Sequence, residues 1–373
     1  MYERVDEFGP EKIIEVHDVS IGLHAVCVID NTALGIGKGG IRMVPDITTA
    51  EVASLARTMT WKNAMAGIPF GGAKSGILAD PKKADKEKLI RAFGRALKNV
   101  IPSLYCAGPD MNTTENEMGI LADEIGDPKA CTGKPLSMGG LPHELGSTGY
   151  GVAHAALEAV RAKGMSIEGA TVAIEGFGNV GTFTMKFLTD MGAKVICVSD
   201  SSGAVYNKNG FDYETMMKVK KEKGTVTAYD GCSREGGPDG CRVMGPSSLF
   251  ETECDILIPG ARPNAIHKDN VDRINAKIIV EAANIPMDYE TEKKLIRRGV
   301  LIVPDFIANA GGVISSYVEY IGGSKEQMFK MVEEKVSENV RLAITMSKDK
   351  DNDLRAAGLE IAKNRVLEAM KRR

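Results

Sequence analysis

Residues 171–200, TVAIEGFGNVGTFTMKFLTDMGAKVICVSD, constrain the fold more than any other stretch of the chain. A β-rich run, TVAIE, meets Gly176-Phe177-Gly178-Asn179-Val180-Gly181. A helical segment follows, with Phe183, Phe187 and Leu188 expected inward, and a second β-rich run, KVICVSD, ends in Asp200. Strand, glycine turn, helix and strand in that order form a βαβ unit of a parallel sheet. The glycines allow a tight turn, and a pyrophosphate can lie against the N–H groups of the helix N-terminus. The acidic residue about twenty positions on is placed to accept a hydrogen bond from a ribose 2′-hydroxyl. The stretch therefore predicts dinucleotide binding by Gly176, Gly178, Asn179, Val180, Gly181, Asp200 and the neighbouring Ser201. The alternative is a glycine turn without a ligand.

The alternation continues through CDILIPG around 254–260, KIIVEAAN around 277–284 and VLIVPDF around 300–306, separated by helical or loop segments. Such spacing implies a parallel sheet with crossover helices. Asn264 and Asn284 follow strand ends, where doubly wound sheets bind ligands, although either also suits a plain turn. The segment Asp305-Phe306-Ile307-Ala308-Asn309-Ala310-Gly311-Gly312 opens a long helix, and the chain from about Lys325 reads as charged and helical. A length of 373 residues suggests roughly two or three domains, and two with a cleft is the simplest reading. The glycine-rich passage around 130–150 is the expected boundary.

Before that boundary lies MTWKNAMAGIPFGGAKSGILADP, residues 59–81, with two lysines in different settings. Lys62 ends an amphipathic run in which Val52, Leu55, Ala56 and Met59 recur at helical spacing, so it is expected on the apolar face, where an ammonium needs an anion. Lys74 sits in Gly71-Gly72-Ala73-Lys74-Ser75-Gly76, where missing side chains let a ligand come close. Two partly desolvated ammonium groups near one another push one pKa toward ~7–8, suitable for a base. The competing reading is a surface helix end and a flexible turn, with Lys62 snorkelling to water. Lys38 stands in another glycine cluster, LGIGKGGIR, which also fits a hairpin turn with a solvated lysine. Residues 85–101 read as a helix with Leu89, Ile90, Phe93 and Leu97 on one face. Asp110 follows the short strand SLYCAG and precedes a helix that opens at Thr114 with Glu117 in a capping-box pattern. It fits a working carboxylate or a turn-forming Asx residue.

Composition excludes several classes. The chain is 43% hydrophobic and 26% charged with a net charge of −3, so it has no basic bias toward nucleic acid or anionic membranes. No window approaches the roughly eighteen uninterrupted apolar residues of a membrane span, and the first residues lack the order of a signal peptide. A cytoplasmic protein is expected. Seven cysteines without a CxxC pair argue for reduced thiols, and the Cys232–Cys241 pair flanking SREGGPDG, which could bridge or bind metal, reads as incidental. Five dispersed histidines offer no zinc spacing, so no metal is expected.

Taken together these motifs resemble the glutamate/leucine/phenylalanine/valine dehydrogenase family along nearly the whole chain. MAGIPFGGAKSGILADP resembles its glycine-rich lysine signature and GPDMNTTENEM its catalytic aspartate segment. CDILIPGARPNAI, VEAANIP and PDFIANAGGV are similar to later landmarks of its cofactor domain. The resemblance implies an α/β fold of two domains separated by a cleft. Residues 1–135 plus a C-terminal helix of about 335–373 would bind substrate and oligomerise. Residues 136–334 would form a Rossmann-type doubly wound dinucleotide-binding domain. It further implies NAD(P)-dependent oxidative deamination of an amino acid. Lys62 would hold the substrate α-carboxylate, Lys74 would activate water, and Asp110 would shuttle protons at the amino nitrogen.

For substrate choice, the family's glutamate enzymes use a lysine and a serine at the positions of Lys38 and Ser316 to bind the side-chain carboxylate, with Asn309 also among the substrate residues. That favours glutamate over the alternative of leucine, valine or phenylalanine. A catalytically silent nucleotide-binding oligomer would be expected to lack Lys74 or Asp110. Pro142-His143-Glu144-Leu145 departs from the arginine that glutamate enzymes commonly carry there, whereas Thr148 matches the threonine near the nicotinamide amide. The cofactor would be NAD or NADP. Asp200 favours NAD, and Lys208 is a candidate partner for a 2′-phosphate. The family assembles as hexamers or octamers.

Overall fold

The computed structural model describes residues 5–142, 145–237 and 240–373, so His143 and Glu144 of the departing loop lie outside the described residues. The chain divides into two compact units. The first comprises residues up to Leu145 together with Val313–Met328 and Leu359–Arg373, and the second comprises Gly146–Gly312 and Phe329–Gly358. The terminal segment expected to belong whole to the first domain is thus shared between the two.

In the first unit the elements run β1 (Lys12–Asp18), β2 (Leu23–Asn31), β3 (Gly37–Lys38), β4 (Ile41–Val44), α1 (Thr49–Ala66), β5 (Gly71–Leu78), α2 (Lys86–Ala96), β6 (Tyr105–Cys106) and α3 (Glu115–Ile125). The sheet is mixed, in the order β1-β2-β5-β3-β6, with β4 also paired to β5. β1, β2 and β5 are antiparallel neighbours, while β3 and β4 run parallel to β5. Both faces of β2 are covered, which explains its unbroken apolar run. Ala25, Cys27 and Ile29 join the core that holds Phe93, Leu97 and Leu121, and Val26 and Val28 pack with Val52 and Ala56 of α1. α2 buries Leu89, Ile90 and Phe93 as its spacing predicts, and α3 carries the expected capping box from Thr114 to Glu117.

α1 starts where the Thr48 side chain accepts the Glu51 N–H, and it ends at Gly67, whose φ of 67° is left-handed. Its buried stripe is Val52, Ala56, Thr60 and Asn63, so Leu55, Met59 and Lys62 lie half-buried on the adjoining face. That corrects the expectation of Lys62 on the fully apolar face. The stretch Gly71–Gly76 is a strand rather than a loop, because its glycines let α1 lie directly on it. A Cβ at Gly72 would fall 2.1 Å from the Thr60 hydroxyl.

The second unit contains α4 (Ser147–Ala162), β7 (Thr171–Glu175), α5 (Asn179–Asp190), β8 (Lys194–Asp200), β9 (Gly203–Tyr206), α6 (Tyr213–Lys223), β10 (Arg242–Met244), β11 (Cys254–Pro259), β12 (Ala276–Val280), α7 (Tyr289–Arg297), β13 (Leu301–Val303) and the short α8 (Asp305–Ala308). Its sheet order is β10-β9-β8-β7-β11-β12-β13, parallel from β8 to β13 with an antiparallel edge of β9 and β10. Order reverses at β7, the switch point where such sheets take their ligands. Phe183 and Phe187 are only half-buried, stacked on each other 6.2 Å apart, with Phe187 also against Tyr150. The buried side of α5 is instead Thr184, Met185 and Leu188.

The chain closes with α9 (Gly311–Tyr320), α10 (Lys325–Ser347) and α11 (Leu354–Met370). Cys232 and Cys241 are joined as a disulfide with Cα atoms 4.6 Å apart, so the pair is not incidental, while the other five cysteines are buried and free. The sequence left the bridge as the lesser reading because a nine-residue separation says nothing about a loop that folds back on itself. No helix among the described residues is long and apolar enough to cross a membrane.

Candidate active site

Parallel pairing of β3 between β5 and β6 carries Lys38 into the interior, opposite Gly72 on one side and Cys106 on the other. The hairpin-turn reading of this lysine is therefore wrong, and its residue is only 3% exposed. Its ammonium donates to the Ala107 carbonyl. Gly108 leaves the room it needs, since a Cβ there would stand 2.6 Å from Nζ. Burial pulls the Lys38 pKa below that of an ordinary lysine, and the more remote charge of Glu319 only partly compensates. Among the described residues no carboxylate forms an ion pair with it. Glu319 is already engaged: it pairs with Lys134 at 2.7 Å and accepts backbone N–H groups of Gly133 and Leu141 at 3.0 and 3.1 Å.

Lys74 projects from β5, which is buried along nearly its whole length, and meets Asp110 at 2.9 Å. The same carboxylate oxygen accepts from Arg42 Nε at 3.0 Å, and Arg42 reaches Glu51 with its other end. The backbone around Asp110 is fixed by Thr113, whose hydroxyl accepts the Asp110 N–H at 2.9 Å and donates to the Ile41 carbonyl at 2.7 Å. Gly40 has no room for a side chain here, because a Cβ would lie 2.6 Å from Asp110 Cβ. Burial lowers the Lys74 pKa. Asp110 opposes this, and the charges of Arg42 and Lys38 reinforce it. For Asp110 burial acts upward, but Lys74 and Arg42 outweigh it and hold the carboxyl below its usual range. An ionised carboxylate touching a destabilised ammonium is a pair across which protons can move.

Lys62 lies on the α1 face that also carries Met59, whose side chain approaches Gly39 beside Lys38. Ser316 is half-buried on α9, one turn before Glu319. α9 is held in the first unit by Phe70, whose ring meets Tyr317 and Tyr320 at 5.6 and 5.2 Å. Sequence reasoning missed Arg42, Lys134 and Glu319. Arg42 was legible as a lone cation in the apolar strand IRMV, whereas Glu319 and Lys134 are far apart in sequence and gave no signal.

In the second unit a cavity of about 730 Å³ opens at the carboxyl ends of the strands, lined by Gly176–Gly181, Asp200, Ser201, Lys220, Phe250 and Arg262. Gly181 is required where the turn meets α5, since a Cβ would sit 1.8 Å from the Gly176 carbonyl. Glu175 closes the floor by accepting the N–H groups of Gly260 and Ala261 at 3.1 and 3.0 Å, and burial raises its pKa. These residues fit a dinucleotide: the glycine turn, the helix N-terminus and the cavity size agree.

Two details differ from expectation. Lys208 lines a separate pocket with Thr171, Cys254 and Ala276, at the amino ends of the strands, so it does not reach this cavity. Asp200 is tied to Lys220, Thr225, Ser202 and Val226. Near the end of β12, Asn309 Nδ2 donates to Asn284 Oδ1 at 2.9 Å and to the Ala282 carbonyl. Asn264 adopts a left-handed φ of 52° and donates its N–H to the Ile285 carbonyl, as a turn residue would. Thr148, near the start of α4, lies against Gly312.

Residues 139–373 match the family described as Glutamate/Leucine/Phenylalanine/Valine dehydrogenase, and residues 10–127 match its dimerisation domain. The chain belongs to this family. One family relative is the NADP-specific glutamate dehydrogenase of Saccharolobus shibatae, 40% identical over 92% of this chain and 83% of its own length. Another is the NAD-specific glutamate dehydrogenase of Staphylococcus aureus, 36% identical over 92% of this chain and 84% of its own. Among solved structures, the hetero-hexameric glutamate dehydrogenase from Thermus thermophilus in a Leu-bound form superposes with a TM-score of 0.82. It is 28% identical, covering 96% of this chain and 89% of that one.

Proposed function

We propose that the chain is a cytoplasmic NAD(P)-dependent dehydrogenase that reversibly converts L-glutamate to 2-oxoglutarate and ammonia. The observation that carries glutamate is the buried Lys38 ammonium, which has a carbonyl partner but, among the described residues, no carboxylate. Keeping such a charge uncompensated costs several kcal/mol, and a side-chain carboxylate of the substrate supplies the missing partner. Ser316 would share that carboxylate, Lys62 would hold the α-carboxylate, and Asn309 would bind the substrate's polar end with Asn284 behind it.

When bound, the nicotinamide dinucleotide supplies the redox step by accepting a hydride from the substrate Cα. Asp110 takes a proton from the amino group as the imine forms. Lys74, having first released its ammonium proton to solvent, then takes a proton from the water that adds to the imine carbon and stabilises the oxygen as charge develops. Asp110 returns its proton to nitrogen, the carbinolamine hydroxyl gives its proton to bulk water as the C=O bond forms and the C–N bond breaks, and ammonia leaves. Gly176–Gly181, Ser201 and Asp200 would hold the dinucleotide, Thr148 its amide, and Asn264 would close the turn beside it. The first unit would bind substrate and oligomerise, the second would bind the dinucleotide, and assembly would be homo-oligomeric, hexameric or octameric.

The test follows NADH and NADPH absorbance at alkaline pH with glutamate, leucine, valine and phenylalanine offered separately. Turnover on glutamate alone is expected. Turnover on leucine or phenylalanine with none on glutamate would refute the role of Lys38 while leaving that of Lys74 and Asp110 standing.

A further inference from the structure

An acid at the end of β8 selects the unphosphorylated dinucleotide only if its oxygens are free to accept from the ribose hydroxyls. In this chain they are occupied. Oδ1 of Asp200 accepts the Ser202 N–H at 2.9 Å and the Thr225 hydroxyl at 3.2 Å, and Oδ2 accepts Lys220 Nζ at 2.7 Å and the Val226 N–H at 2.9 Å. A carboxylate has about four lone-pair positions, so four donors saturate it. Its side chain is correspondingly only 6% exposed. A ribose hydroxyl would have to displace one of these donors to be bound by Asp200.

The group presented to the cavity in its place is Lys220. Its side chain is 28% exposed and lines the cavity beside Asp200 and Ser201. The ammonium donates to Asp200 and to the Gly224 carbonyl at 3.0 Å, which leaves one of its three protons for a ligand. α6 is anchored at its start by Asp212, whose side chain accepts the Thr215 N–H, and it ends at Gly224, so Lys220 is carried on a fixed last turn. The Asp200 bond then orients the ammonium.

We propose that Lys220, held by Asp200, receives an anionic 2′-substituent on the adenosine ribose, so that the chain prefers the phosphorylated dinucleotide. Asp200 is then a positioning residue and not the ribose reader. This rests on the reading of the second unit as the dinucleotide-binding domain, and it reverses the preference for NAD that Asp200 alone suggests.

The test uses titration calorimetry of the full-length protein with 2′,5′-ADP and with 5′-AMP, in the absence of amino acid. The unmodified protein is expected to bind 2′,5′-ADP about tenfold or more tightly than 5′-AMP, the range of a charge-assisted hydrogen bond. Lys220→Ala should reduce the ratio to within about twofold, while Lys220→Arg should keep most of it. Equal affinity in the unmodified protein would overturn the proposal, and so would a preference that survives Lys220→Ala in a variant with unchanged circular dichroism. If neither compound binds, the dinucleotide reading itself falls and takes the proposal with it.

Discussion

The two units bury charge in opposite balance. In the first, Lys74 and Arg42 both meet the half-buried carboxylate of Asp110, and the charge of Lys38 acts on Lys74 as well. In the second, a single guanidinium, Arg355, meets Glu281 at 2.6 Å, Glu292 at 2.5 Å and Asp305 at 3.0 Å. Burial leaves Lys38 and Lys74 with depressed pKa values, which neighbouring cations reinforce, and in the proposed function a substrate anion completes the set. Surplus carboxylates instead share the one guanidinium. Burial pushes Glu281 well above the ordinary carboxyl range and raises Glu292, and each has one oxygen without a hydrogen-bond partner. The acidic cluster is closed and structural: Glu281 also accepts the Asp305 N–H, and Asp305 the Ile285 N–H. Imbalance alone does not mark a site. What marks it is a charge that neither the chain nor a proton can satisfy.

The comparison can be broken most strongly at Lys74. Lys74→Ala should lower kcat by about 10³–10⁴, a general-base loss, with the fold intact in a thermal melt. A loss of stability with little loss of kcat would make Lys74 structural. Arg355→Ala should do the reverse, costing about 3–5 kcal/mol of stability by denaturant titration because it leaves buried carboxylates unpaired. A triple replacement of Arg355→Met, Glu281→Gln and Glu292→Gln should recover much of it. The smallest effect separates the clusters by sign. Glu281 has a raised folded pKa, so its contribution is present below the unfolded value of about 4.5 and is lost as pH rises through the folded value. Lys38 has a lowered one, so its contribution is present above about 10.5 and is lost as pH falls through the folded value. Stability curves against pH for Glu281→Gln and Lys38→Met should differ from the parent in opposite directions.

The strand, turn, helix and strand from Thr171 to Asp200 were legible in order and type, because glycines at fixed offsets between two β-rich runs leave one arrangement, but the buried face of α5 was not. The chemistry of the first unit was legible by residue type but not by setting. A run rich in glycine reads as a loop, yet β5 is central, and its glycines serve the close approach of α1. Lys62 was placed one face too deep because polar Thr60 and Asn63 occupy the buried stripe. Nearness in sequence also misled. Lys208 lies eight residues beyond Asp200 and faces another pocket, whereas Lys220, twenty residues away, touches it. Arg355 was invisible for the same reason, its partners lying 50 to 74 residues away.

The most direct test of the account is the kcat and KM of Lys38→Leu on glutamate and on leucine. The buried cation reading predicts a KM for glutamate raised about a hundredfold, the effect of removing a charged hydrogen-bonding partner, with kcat largely kept and leucine improved relative to glutamate. An unchanged KM for glutamate in a folded Lys38→Leu protein would mean that this ammonium never meets the substrate.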